Sequence, residues 1–185
     1  MREFLIPAKA IKLYAFSELS ESAQDKALET HCISSDYSWH DENQKSLKSF
    51  CAEIGINAPD FSYGEAPPFI KKITDEDLEE ISLANPENKG ELDYLIRKFH
   101  EDPYCLTGYC ADSSLTMTFA DVMVQTQSLK DAINTSLQTW LETSQGDWDF
   151  YFSKAYLEEL SSYENDWEYL ETGEYFDEYK YRAVS

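Results

Sequence analysis

The side chains with the clearest chemical potential are carboxylates near the C-terminus. Residues 143–185 contain eleven Asp or Glu residues and three Lys or Arg, so this segment carries −8 of the chain's formal charge of −21. Rows of carboxylates can imitate nucleic-acid phosphates and pair with the Lys and Arg side chains of a protein that binds nucleic acid. We expect the partner-binding carboxylates of this segment to be Glu158, Glu159, Asp166, Glu168, Glu171, Glu174, Asp177 and Glu178.

A second acidic cluster lies near the middle of the chain. It places five carboxylates in six positions, and we include all five among the candidates: Asp75, Glu76, Asp77, Glu79 and Glu80. The sequence leaves open whether the two clusters share a surface, and whether a homodimer supplies a second row of charge. Clustered acids also suit the N-terminus of a helix, so part of this cluster is expected to be structural.

Other chemistries lack the residue patterns that they require. Neither GxxxxGK[ST] nor GxGxxG occurs, which argues against nucleotide-dependent catalysis by these routes. The four cysteines show no CxxC spacing, and Asp147-Trp148-Asp149 lacks the rest of a calcium-binding loop. We therefore predict a protein that is not an enzyme and that uses no cofactor or metal.

An amphipathic helix is expected to hold the C-terminal carboxylates in place. On a helical wheel, four residues fall within about 40° of Tyr156 and form one apolar stripe with it: Leu160, Tyr163, Trp167 and Leu170. If residues 154–171 form one helix, its six carboxylates have an average spacing of about 4.5 Å along the helix axis. The phosphates of one DNA strand have a similar spacing of about 3.4 Å. The pattern predicts a rigid helix that resembles a single strand in charge spacing.

Aromatic side chains in the same segment offer a second kind of contact. Residues 143–185 contain twelve aromatic residues, which a solvating acidic tail would lack, so we expect the segment to be folded. Tyr169, Tyr175 and Tyr179 could stack where bases would lie on a nucleic-acid-binding partner.

The rest of the chain predicts an α+β fold with five or six amphipathic helices and a small, mostly antiparallel sheet. Ser20 is a predicted N-cap for a helix from Glu21 to Ile33, and Thr74 with Asp77 is a capping-box variant that opens a helix running to Ala84. The remaining expected elements are a strand at 10–16, a helix at 39–54 ended by Gly55, a loop or edge strand at 61–69, a helix at 92–99, a hairpin of strands 104–109 and 113–119, and a helix from Ser128 to Gly146.

Size and composition favour one domain over residues 1–185, with 143–185 as an acidic, aromatic C-terminal element. The chain has no apolar run long enough to cross a membrane and no pattern of a signal peptide, so we expect a cytoplasmic protein. A charge of −21 opposes direct binding to nucleic acid or to an anionic membrane, and it favours basic partners.

Residues 14–29 carry a resemblance to known proteins. They read YAFSELSESAQDKALE, and the residues that carry the resemblance are Tyr14, Phe16, Glu18, Leu19, Ser20, Ala23, Lys26 and Ala27. This stretch resembles the opening of small acidic proteins of phages and prophages that have no established function, and residues 164–176 are weakly similar to their C-terminal ends. The resemblance implies a mobile-element origin, action on host machinery and, if phage-encoded, residence in the host cytoplasm. No residue role is carried over from it.

Two functions follow as expectations. The first is an anti-defence inhibitor that imitates nucleic-acid phosphates and blocks the basic groove of a host nucleic-acid-binding protein, such as a CRISPR effector or a restriction enzyme. The second is an antitoxin or adaptor that binds its partner through apolar and aromatic surface, with the acidic residues serving solubility.

Overall fold

A computed structural model describes residues 2–6, 9–64, 67–162 and 167–177, with side chains described from residue 11 onward. The α+β class is as predicted, and the described residues form seven α-helices, slightly more than the five or six expected. The elements are β1 (Arg2–Ile6), β2 (Lys9–Leu13), α1 (Glu21–Ser34), α2 (His40–Ile54), β3 (Phe61–Ser62), β4 (Phe69–Ile70), α3 (Asp75–Glu79), α4 (Lys89–Glu101), α5 (Ala111–Thr126), α6 (Leu129–Tyr151) and α7 (Lys154–Ser162), with short 3₁₀ turns at Phe16–Glu18, Ser82–Ala84 and Pro86–Asn88.

Two small antiparallel sheets are present in the described residues. The strands β1 and β2 pair from Arg2 opposite Leu13 to Ile6 opposite Lys9. The strands β3 and β4 pair at Phe61 opposite Ile70, so the stretch expected to be a loop or edge strand is a short hairpin.

The chain divides into two compact units. One consists of Met1–Asp36 and Asp149–Ser185 and is called the terminal unit below, and the other, Tyr37–Trp148, is called the central unit. The acidic C-terminal residues therefore fold together with the N-terminal residues. The expectation of one domain stays a prediction.

The core of the central unit is built from aromatic side chains on three helices. Phe50 of α2, Phe99 of α4 and Phe119 of α5 are fully buried, and their ring centroids lie 5.7 to 6.0 Å apart. Such aromatic contacts contribute about 0.5–1.5 kcal/mol per pair beyond the area that they bury. The Trp140 indole of α6 is also fully buried, with its ring centroid 5.0 Å from that of Phe61.

The core of the terminal unit joins α1 to α7. Ala23 and Ala27 of α1 are buried, and these small side chains let Leu157 of α7 approach closely. His31 is buried at the next position of the same face, and its Nε2 donates to the Tyr151 carbonyl at 3.0 Å while its Nδ1 accepts from the Ser35 hydroxyl at 2.9 Å. Burial lowers the pKa of His31, and the bond to Tyr151 opposes this shift in part.

Several local predictions are confirmed. Ser20 caps α1 by accepting a hydrogen bond from the Ala23 N–H, and the capping box of Thr74 and Asp77 opens α3. Gly55 ends α2 in the left-handed conformation, with φ of 84°. The helix α3 ends at Glu79, however, and does not run to Ala84 as expected.

The predicted hairpin of 104–109 and 113–119 is wrong, because residues 111–126 form α5. Leu115 and Phe119 are buried four residues apart, as in a helix, while Met117 is exposed. The buried Asp112 carboxylate accepts bonds from the Thr107 and Gly108 N–H groups at 2.7 and 2.9 Å and fixes the loop before the helix. An apolar run of this length suits a strand or a helix, so the sequence pattern alone could not decide between them.

The end of α6 also differs from the prediction. The helix does not stop at Gly146 but continues to Tyr151, so Asp147 lies inside a helix. Glycine lowers helix propensity by about 1 kcal/mol, which the packing of a long helix readily outweighs.

The single helix predicted for residues 154–171 is wrong as well. The helix α7 ends at Ser162, and residues 167–177 form turns and isolated β-bridges that pair Tyr169 with Tyr14 and with Tyr175. The apolar stripe therefore is not one helix face. Bonds to the N-terminal segment of the chain override the helical periodicity here.

Candidate partner-binding surface

Backbone hydrogen bonds fix the C-terminal segment on the terminal unit. The segment 167–177 is called the tail below. The Tyr14 N–H donates to the Tyr169 carbonyl at 2.9 Å, and the Tyr169 N–H donates back to the Tyr14 carbonyl at the same distance. This reciprocal pair joins the tail to the residue that follows β2.

The tail then turns tightly against the first turn of α1. The Leu170 N–H donates to the Glu174 carbonyl at 2.8 Å, and the Gly173 N–H donates to the Leu170 carbonyl at 2.9 Å. Gly173 is buried with φ of 84°, and a Cβ atom placed there would lie 2.0 Å from the Ala23 carbonyl oxygen. The turn therefore has room only for glycine at this position.

Two buried aromatic rings complete the attachment of the tail. Tyr169 is 2% exposed and its ring contacts Phe16 edge-on at 5.8 Å, while Phe176 is 7% exposed. Burial raises the pKa of Tyr169 to about 12, although the nearby Ser161 hydroxyl lowers it in part. Tyr169 thus acts as an anchor of the fold.

This attachment brings acidic residues from two ends of the chain to one part of the terminal unit. Glu18 and Glu171 line the same depression, about 400 Å³ in volume, together with Tyr14, Leu19 and Ser20. Glu21 follows in the first turn of α1 and Glu174 follows in the tail turn, and all four glutamates are exposed. These four residues, Glu18, Glu21, Glu171 and Glu174, are called the acidic shoulder below.

The carboxylate of Glu18 has a fixed position in this group. The Ala15 N–H donates to its Oε2 at 3.1 Å, and this bond lowers the pKa of Glu18. This hydrogen bond to the backbone restricts the position of the Glu18 carboxylate.

Further exposed carboxylates lie on the helices of the same unit. Glu158 and Glu159 are exposed on α7. On α1, Glu21, Asp25 and Glu29 follow one another at four-residue spacing and are exposed, so they form a row along one helix face. Lys154 forms an ion pair with Asp25 and neutralises one member of this row.

The other candidate residues of the C-terminal segment differ in how far they are exposed to solvent. Glu168 and Asp177 are half-buried, and Asp166, Glu178 and Tyr179 lie outside the described residues. The stacking role predicted for Tyr169 is wrong, because its ring is buried and cannot reach a partner. Tyr175 is 44% exposed, and its ring lies 4.8 Å from that of Trp167.

The second acidic cluster belongs to the central unit. All five carboxylates are exposed, but two of them have structural partners. Asp75 accepts from Lys130 at 2.7 Å, and Asp77 accepts from the Thr74 N–H at 2.7 Å, which lowers the pKa of Asp77. Part of this cluster is therefore structural, as expected, and Glu76, Glu79 and Glu80 remain as exposed carboxylates in the same six-residue stretch.

Sequence reasoning missed the contribution of the N-terminal residues to this surface. Glu18 and Glu21 were not among the candidates, since nothing in one dimension shows that the tail folds back onto α1. The four-residue spacing of Glu21, Asp25 and Glu29 was a signal that could have indicated an acidic helix face.

Metal and membrane sites receive no support from the described part of the chain. Within residues 2–6, 9–64, 67–162 and 167–177, no group of three or more His, Cys, Asp or Glu side chains could hold a metal ion. No helix in these ranges is both long and apolar enough to cross a membrane.

Comparison with known proteins yields no relative. No protein-family model, no curated protein and no solved structure matches the chain. The function must therefore be argued from the residues themselves.

Proposed function

We propose that this protein is an anti-defence inhibitor that occupies the basic groove of a host nucleic-acid-binding protein by imitating phosphates. A CRISPR effector complex or a restriction enzyme has a groove of the required charge. The chain carries 36 acidic and 15 basic residues, so its field attracts such a groove and repels nucleic acid itself. Direct binding to nucleic acid is not part of the proposal.

The single observation that supports the proposal most is the attachment of the tail to α1. It holds Glu171 and Glu174 on the same folded unit as Glu18 and Glu21, through backbone bonds and through a glycine that contacts the Ala23 backbone. An ordered array loses little conformational entropy on binding, whereas a disordered acidic tail would lose about 0.5–1.5 kcal/mol for each side chain that becomes fixed. The acidic shoulder is therefore suited to imitate a rigid phosphate chain.

The experiment is capture of host proteins from a lysate on the immobilised full chain, with and without a competing DNA duplex. We expect the captured proteins to be nucleic-acid-binding proteins that the duplex displaces. Retention should fall steeply between about 50 mM and about 500 mM salt, as expected for contacts between charged groups. Retention that neither DNA nor salt weakens would contradict imitation of phosphates.

A triple variant tests the role of the acidic shoulder in the same assay. Glu18→Gln, Glu171→Gln and Glu174→Gln together remove three negative charges but keep side chains of the same shape. The matched control removes three exposed glutamates of the central unit, at Glu87, Glu91 and Glu101. We expect the shoulder variant to lose at least about tenfold in affinity and the control to lose much less, and equal losses would show that only the total charge matters.

One observation favours the second candidate, an adaptor or antitoxin. A groove of about 520 Å³ in the central unit is lined by Leu92, Ile96, Met123 and Val124, and Val124 is 65% exposed. A Val124→Lys variant should abolish partner capture if this groove is the binding surface, and it should leave capture intact if the acidic shoulder binds the partner.

A further inference from the structure

Besides the apolar groove, the central unit contains a smaller cavity. The residues that line it are distant in sequence from those of the acidic shoulder. It has a volume of about 320 Å³, which is within the size range of small-ligand sites. Three of its lining residues, Trp39, Glu42 and Asn43, are at the beginning of α2, where their spacing of three and four places them on one side of the helix. Tyr109 borders the cavity from the loop before α5, and Asp147 borders it from α6.

The two carboxylates at this cavity lack counter-charges. Glu42 and Asp147 are both half-buried, and neither forms a hydrogen bond or an ion pair through its carboxylate with any residue that the structure describes. Burial raises the pKa of Asp147, and no neighbouring cation acts in the opposite direction. Partial burial of unpaired charge costs free energy, which a bound cation would recover.

A third acceptor is the side-chain oxygen of Asn43. Asn43 is only 4% exposed, and its Nδ2 donates to the Tyr37 hydroxyl at 3.3 Å. The Asn43 side chain also interacts with the Tyr63 hydroxyl, and no hydrogen bond to its Oδ1 is found among the described residues. Asn43 lines the cavity, and its amide oxygen has capacity to accept a hydrogen bond.

Aromatic rings border the same space. Trp39 and Tyr109 line the cavity. Trp39 packs edge-on against Tyr37 with centroids 5.8 Å apart, and Tyr37 packs against Trp148 at 5.1 Å, so the Trp39 ring has a supported position. Aromatic faces attract cations, most strongly for tryptophan, and they also accept an aliphatic stem.

From these features we infer that the cavity binds a primary alkylammonium group. Its three N–H donors match three acceptors, the carboxylates of Glu42 and Asp147 and the Oδ1 of Asn43, while Trp39 and Tyr109 contact the alkyl stem. A metal ion fits less well, because among the described residues no group of three or more His, Cys, Asp or Glu side chains could hold one. The same chemistry is offered by a free aliphatic amine and by a lysine side chain of a protein.

The test is titration of the ¹⁵N-labelled full chain, followed by NMR, with two probes of this chemistry. The probe n-butylamine represents a free amine, and Nα-acetyl-lysine amide represents a protein side chain. We expect saturable shifts of the Trp39 indole signal and of the Gly108 and Cys110 amides, which border the cavity. Tighter binding of the lysine probe would indicate that the natural ligand is a lysine side chain of a protein. Tighter binding of n-butylamine would indicate that the natural ligand is a free amine.

Matched variants separate this site from the general attraction of an acidic protein for cations. Asp147→Asn should weaken binding about tenfold, and Trp39→Leu about fivefold. Glu142→Gln removes the same charge from an exposed position of the same helix and should weaken binding less than about twofold. Glu42→Gln provides an independent carboxylate variant, and thermal unfolding checks that each variant is folded.

Three results would overturn the inference. One is the absence of saturable shifts at the cavity with either probe. Another is an equal loss of probe binding in Asp147→Asn and Glu142→Gln, because the loss would then depend only on the net charge of the protein. The third is equal binding of n-butanol, the uncharged analogue of n-butylamine.

Discussion

Replacement of Gly173 by alanine should detach the tail from α1 without changing the charge of the protein. Gly173 has φ of 84°, and an added Cβ atom would lie 2.0 Å from the Ala23 carbonyl oxygen and 2.8 Å from its carbonyl carbon. Both atoms belong to the backbone of a helix, so no side-chain rotation can relieve the clash. The tail turn would have to move away by about 1 Å or more, since non-bonded atoms repel steeply at such distances.

The magnitude follows from a comparison with Gly55. Gly55 has the same φ of 84° but no atom within 4 Å of an added Cβ, so Gly55→Ala should show only the cost of the left-handed conformation, about 1 kcal/mol. Gly173→Ala adds the clash. Loss of the tail's attachment would expose Tyr169 and Phe176, whose burial contributes about 2–3 kcal/mol each. We therefore expect Gly173→Ala to cost at least about 2 kcal/mol more than Gly55→Ala.

Hydrogen exchange and the capture assay together test this reasoning. The amides of Tyr14 and Tyr169 form the reciprocal bonds of the bridge, and they should lose protection in Gly173→Ala but keep it in Gly55→Ala. Partner binding should fall by about tenfold or more in Gly173→Ala, although its net charge is unchanged. Full amide protection in Gly173→Ala would refute the argument about the tail, and unchanged partner binding despite lost protection would refute the need for an ordered array.

Three further outcomes concern the stability of the two units. His31 is neutral in the fold because burial lowers its pKa from the ordinary 6.5, so the unfolded state binds the proton first and stability should fall as the pH drops below 6.5. His31→Gln should therefore show a smaller loss of melting temperature than the wild type between about pH 7 and about pH 5. Asp112→Ala removes a buried acceptor of three bonds and should cost about 3 kcal/mol or more in denaturant unfolding. Ser20→Ala should cost about 1 kcal/mol through loss of the N-cap of α1, whereas Ser22→Ala, inside the same helix, should cost less.

Local signals in the sequence predicted the parts of the fold that depend on a few neighbouring residues. The Ser20 N-cap, the capping box at Thr74 and Asp77 and the glycine stop at Gly55 require only groups within about four residues, and all three are confirmed. The errors arose where two structures satisfy the same local pattern. Residues 113–119 alternate as a strand would, but they belong to α5, which buries Leu115 and Phe119 on one helix face.

The sequence by itself determined the charge of the protein, the α+β class and the capped helices, because composition and short-range hydrogen bonds do not depend on where distant residues lie. Only the tertiary structure decided that the tail is not a continuation of α7 and that it lies against α1. Gly173 and Tyr169 contact Ala23 and Tyr14, which are about 150 residues away in the chain. The composition of the acidic shoulder follows from these long-range contacts, since two of its members come from each end of the chain, and no local pattern records such contacts.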